Sequence, residues 1–107
     1  MFTRVVELTS KPRKSRELSS LINDTIVPIL RKQAGFVDEI VLVSDADSDR
    51  VLALSFWSKR EDAERYQREQ YDSVRETLHS ALEAEPVVRT FEVHTSTTHS
   101  IAPGKAA

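Results

Sequence analysis

Apolar and polar positions divide the chain into six elements. Residues 51–57, Val-Leu-Ala-Leu-Ser-Phe-Trp, are apolar on both sides: Val51, Ala53, Ser55 and Trp57 alternate with Leu52, Leu54 and Phe56. Successive strand residues face opposite sides of a sheet, so this segment predicts an inner strand covered on both faces. Residues 2–9 repeat the pattern, with Arg4, Val6 and Leu8 opposite Thr3, Val5 and Glu7. Residues 37–43 and 86–95 complete four strands. Between the first two, Leu18, Leu21, Ile22, Ile26, Ile29 and Leu30 recur at helical spacing as far as about Gln33. Pro12 suits the first turn of that helix, and Pro28 predicts a kink near Asp24. Gly35 is the expected left-handed stop. Residues 59–83 read as a second helix, opened by a Ser58–Glu61 capping box and carrying Glu61–Arg65 and Glu64–Arg68 pairs. Its apolar stripe is Ala63, Tyr66, Tyr71, Val74, Leu78 and Leu82. The step of five from Tyr66 to Tyr71 predicts a bend near Glu69 and Gln70.

The order strand, helix, strand, strand, helix, strand is that of an α+β, ferredoxin-like βαββαβ sandwich. Right-handed crossovers put the first and third strands in the middle of the sheet. Two helices cover one face only. The other face would expose more apolar surface than a monomer usually tolerates, which predicts a homodimer packed sheet to sheet. Residues 1–95 form the domain. Residues 96–107, rich in Ser, Thr and Ala, read as a C-terminal tail or dimer arm.

Composition narrows the function classes. At 107 residues the chain is one domain. Its net charge of −2, with both signs interspersed, offers no footprint for nucleic acid. No apolar run reaches the ~18 residues of a membrane helix. The absence of cysteine and of a signal-peptide pattern points to the cytoplasm, and it removes thiolate nucleophiles and thiolate metal sites. Two glycines, Gly35 and Gly104, are too few for a phosphate-binding loop. Asp45, Asp47 and Asp49 have the spacing of a calcium loop, but Arg50 and Phe56 stand where that loop needs Gly and Glu. They read as turn residues. His94 and His99 are five apart and make no metal pair; His94 is expected at a subunit boundary. No metal is expected.

Three segments carry a family likeness: residues 28–36 (Pro-Ile-Leu-Arg-Lys-Gln-Ala-Gly-Phe), residues 56–63 (Phe-Trp-Ser-Lys-Arg-Glu-Asp-Ala), and Pro86 opening the last strand. Together they resemble the antibiotic biosynthesis monooxygenase family of the dimeric α+β barrel superfamily. The resemblance spans about residues 2–95. It implies a homodimer whose sheets form a barrel, with a cavity between helices and sheet in each subunit. Some members oxygenate quinols or phenols without a cofactor, some degrade haem, and some have no known activity. Haem-degrading members use an Asn on the first strand and a Trp and a His after the third. Here the first strand has no Asn, and Tyr66 and Glu76 occupy the other two positions. No haem or other cofactor is therefore expected.

Cofactor-free oxygenation needs a base, hydrogen-bond donors and a dry pocket. The candidates are His79 as base, Tyr66 as catalytic donor, and Trp57, Tyr71, Asn23 and Phe36 as pocket residues, with a small aromatic or quinol-like ligand. Each also has a structural reading: Trp57, Tyr66 and Tyr71 as core, His79 and Asn23 as solvated surface. The alternatives to an oxygenase are a non-catalytic small-molecule-binding or stress-response barrel and a purely structural dimer. A cavity of roughly 300 Å³ beside Tyr66 would separate a ligand-binding protein from a structural one.

Overall fold

The computed structural model describes residues 1–101. Its strands are β1 (Phe2–Thr9), β2 (Phe36–Val43), β3 (Arg50–Trp57) and β4 (Val87–Glu92). They form one antiparallel sheet in the order β2-β3-β1-β4, so the two strands with apolar residues on both sides are the central ones. The fold is ferredoxin-like α+β. The proposed extent of the tail, 96–107, lies partly outside the described residues.

The first helix is assembled from α1 (Ser15–Leu21), a wider π turn (Ile22–Ile26) and α2 (Val27–Arg31). Pro28 is the reason for the wide turn. It has no N–H to give to Asp24, and the chain resolves the gap one residue earlier, where the Val27 N–H reaches back five residues to the Ile22 carbonyl. Leu18, Ile22, Ile26 and Leu30 all stay buried through this irregularity. Pro12 lies in the turn before the helix rather than in its first turn, because α1 begins only at Ser15.

The second helix breaks as expected into α3 (Arg60–Glu69) and α4 (Tyr71–Leu78), followed by a short 3-10 turn (His79–Ala81). Its start corrects the sequence reading. No side chain caps α3, which begins after Lys59 in extended conformation. The Ser58 N–H is spent on the Gly35 carbonyl at 2.8 Å, which ties the loop to the end of the first helical segment and leaves no capping box. The expected Glu61–Arg65 and Glu64–Arg68 pairs are also absent among the described residues. Arg65 turns instead to Asp62 at 3.2 Å.

Register sorts the sheet into two faces. Phe2, Arg4, Val6 and Leu8 of β1 and Val51, Ser55 and Trp57 of β3 are buried beneath the helices. On the open face, Leu52, Leu54 and Phe56 are only half buried, and Ile40, Leu42, Val87 and Phe91 are 41–53% exposed. The segment after β4 turns at Ser96 and lays His99 against this face, its ring 6.4 Å from Phe56 and its Nε2 3.6 Å from Asp38. The Asp45–Asp49 loop is a turn: the Asp47 side chain accepts from the Asp49 N–H, and the Asp49 side chain accepts from the Arg13 N–H. Among the described residues, no cluster suited to a metal ion exists, and no helix is long and apolar enough to cross a membrane.

Candidate functional site

The chemistry-bearing residues converge between the second helical layer and the sheet. Tyr66 and Tyr71 would lie about 140° apart on an uninterrupted helix. The break at Gln70, whose N–H still bonds to the Tyr66 carbonyl at 2.9 Å, brings both rings to the inner side with centroids 6.4 Å apart. Behind Tyr66 stands Trp57, ring centroids 5.2 Å apart, and beyond it Phe36 at 5.6 Å. Trp57 is fully buried, and its Nε1–H donates to Ser55 Oγ at 2.9 Å. It braces Tyr66 and, like Phe36, is not on the cavity wall.

Arg4 is the charged centre of this region and is only 3% exposed. Its guanidinium lies 5.0 Å from the Tyr66 ring centroid and 4.6 Å from that of Tyr71, a cation–π arrangement in a desolvated setting. It also donates to Gln67 Oε1. Glu39 enters from β2, on the same sheet face. Burial lifts its carboxyl from 4.5 to about 8, outweighing the opposing pull of Arg4. Among the described residues no ion pair joins the two; the guanidinium is turned to the aromatic rings and Gln67, so Glu39 bears its desolvation largely uncompensated. Burial also raises the Tyr66 phenol to about 12 and pushes Tyr71 upward. Both stay protonated as donors. Arg4 is drawn below its ordinary value by burial, yet a guanidinium remains cationic in any folded protein.

Two spaces meet at Arg4. An inner cavity of about 30 Å³, walled by Arg4, Glu39, Tyr66, Tyr71 and aliphatic side chains of both helical layers, has room for one water. That is a tenth of the volume set above for a ligand site beside Tyr66. An outer groove of about 460 Å³ lies between α3 and the β1–β4 side of the sheet, and Arg4 lines it too. His79 and Asn23 belong to neither. His79 is exposed in a separate depression with Arg75 and Glu83, and Asn23 is exposed and bonds to Asp24. Sequence reasoning missed Arg4, Glu39 and Gln67. The available signal was a charged residue on an inward strand face between apolar neighbours: Arg4 among Phe2, Val6 and Leu8.

A model of the antibiotic biosynthesis monooxygenase family matches residues 1–72. The chain belongs to that family. Its solved structural neighbours share the fold at low identity. A monooxygenase from the gene ActVA-Orf6 of Streptomyces coelicolor, solved in complex with nanaomycin D, is 19% identical. Each chain covers 92% of the other, with a TM-score of 0.77. SnoaB, a cofactor-independent oxygenase from Streptomyces nogalater, is 16% identical over 92% of this chain and 97% of that one, with a TM-score of 0.74. A protein of unknown function from Nitrosomonas europaea is 12% identical over 92% and 94%, with a TM-score of 0.75. No curated protein sequence matches the chain. The family thus supports a monooxygenase, and the fold includes members with and without an assigned reaction.

Proposed function

We propose that this protein is a cofactor-independent monooxygenase that oxidises a small phenolic or quinol-like aromatic beside Arg4, Glu39, Tyr66 and Tyr71. The observation that carries the reading is Glu39. Its carboxyl, lifted to about 8 by burial, shares the wall of one cavity with two phenols, Tyr66 and Tyr71, and with the Arg4 cation. A base of that strength is matched to a phenol, whereas an ordinary carboxylate is too weak. His79 faces solvent elsewhere, so Glu39 takes the role of base in this proposal and Tyr66 keeps that of donor.

The steps balance without a cofactor. The phenol O–H gives its proton to Glu39. The phenolate, stabilised by Arg4, passes one electron to O2, and the radical pair joins to form a C–O bond at the para carbon. Glu39 returns its proton to the resulting peroxide anion, and the hydroperoxide then loses water as its hydroxide leaves with the proton of that carbon, so that a carbonyl remains. Substrate plus O2 gives quinone plus water, and all four electrons come from the substrate. Tyr66 and Tyr71 donate to the developing charge on oxygen.

The 30 Å³ cavity is too small for an aromatic ring. In this reading the substrate enters from the outer groove and Arg4 moves aside. The same figure favours the purely structural reading, a dimer whose pockets are filled by side chains, as long as Arg4 keeps its place. The open sheet face supports a homodimer, with the cavities on its outer sides. The test is oxygen uptake with 1-naphthol. The expected result is one 1,4-naphthoquinone per O2 with no hydrogen peroxide, lost in Glu39→Gln and reduced at least tenfold in Tyr66→Phe. Tight naphthol binding with no uptake above the uncatalysed rate would establish the non-catalytic reading.

A further inference from the structure

The outer groove has a charge character that the oxygenase reading does not require. Arg60, Glu64 and Arg68 recur at four-residue steps on α3 and so share one helix face. Gln67 lies beside them, and Arg4 closes the back. Three guanidiniums therefore face a single carboxylate. Spacing would allow Glu64 to pair with Arg60 or Arg68, yet among the described residues no ion pair within 4.0 Å involves any of the four. In a chain of net charge −2 this groove is a local excess of positive charge. Its floor is apolar: Phe2, Ala63 and Val88. The Arg60 guanidinium carbon lies 5.2 Å from the Phe2 ring centroid, a cation–π contact that covers this part of the floor.

We propose that this groove is a recognition site for the carboxylate of a planar, apolar aromatic acid. Arg60 swings off the Phe2 ring to bind the acid group with Arg68, and Phe2 and Val88 receive the ligand ring in its place. The chemistry fits part by part. A guanidinium presents paired N–H donors that match a carboxylate, while a flat apolar floor selects a ring over a sugar or a peptide. A space of about 460 Å³ lies within the range of small-molecule sites and admits a bicyclic acid. Arg4 then has two roles: it wall-papers the inner cavity in the empty protein and becomes a third donor when an anion arrives. Its shift toward that anion joins the two spaces. This extends the reading above only in making the bound acid the substrate class; the binding site itself stands without turnover.

The experiment is calorimetric titration with 1-naphthoate, set beside its neutral isostere 1-naphthamide. Naphthoate is expected to bind at least roughly tenfold more tightly than the amide, with affinity falling as salt rises. Arg60→Gln and Arg68→Gln, both on the exposed side of α3, are each expected to weaken naphthoate about tenfold and leave the amide unchanged. Equal binding of acid and amide, or undiminished naphthoate binding in the Arg60→Gln/Arg68→Gln double variant, overturns the proposal. Because heat of binding is read without oxygen chemistry, naphthoate binding in a protein that never consumes O2 sinks the oxygenase and leaves this site standing. Oxygen uptake with naphthol in a protein blind to naphthoate does the reverse.

Discussion

Glu39 links the candidate chemistry to stability. Its carboxyl titrates near 8 in the folded chain and near 4.5 when unfolded. Between those values the unfolded chain has released a proton that the folded chain retains. Stability is therefore full below about pH 4.5, falls as pH rises toward 8, and levels off above it, at no more than about 1.4 kcal/mol per pH unit. The groups facing it are Arg4 from β1, Asp38 beside it, and Tyr66 from α3. Denaturant unfolding of Glu39→Gln is expected to show a flatter pH dependence between 5 and 8, with a gain of about 1–3 kcal/mol at pH 8. Parallel curves for the two proteins would remove the perturbed carboxyl from the account. Gly35 makes a second prediction at this scale. It sits at φ +81°, and a Cβ there would lie 2.0 Å from Asp62 Oδ2. Gly35→Ala is expected to cost about 1–3 kcal/mol, since backbone strain and collision add.

At the scale of elements, the sequence was most legible where one pattern had one solution. Two-sided apolar strands had to be central, and the Tyr66–Tyr71 step had to break a helix. What it did not reveal were choices between equivalent partners. Ser58 had a capping role available and a loop role available, and tertiary structure took the second because Gly35 needed a partner for its carbonyl. Pro28 announced an irregularity, but whether the chain would kink or widen depended on keeping Leu18, Ile22, Ile26 and Leu30 against the sheet. A π turn does this by inserting extra width without rotating the buried stripe away. The site was less legible for a related reason. Aromatic residues announce themselves by type, and four of them did gather, yet Arg4 and Glu39 look like ordinary surface residues until the register of three strands turns both toward the helices, Arg4 buried and Glu39 half-buried.

For the whole molecule, the unresolved balance is between the two faces of the sheet. The helical side is a closed core, whereas the other carries Ile40, Leu42, Val87 and Phe91 largely in water. Burial of such a patch at about 25 cal/mol per Å² is the force expected to join two copies. Sedimentation velocity should show a dimer for the native chain and a monomer for Ile40→Lys/Phe91→Lys, with unchanged secondary structure because both side chains already face outward. A native chain that sediments as a monomer at micromolar concentration removes the barrel-forming assembly from the proposal.

His99 gives that balance a further twist. By resting on Phe56 and reaching Asp38, the stretch beyond β4 behaves as a bandage over the adhesive surface of its own subunit. If two copies pair through this face, the His99 segment and the second copy compete for Phe56. In the proposed dimer that competition sets an intramolecular cover at fixed local abundance against an intermolecular one that strengthens with protein concentration.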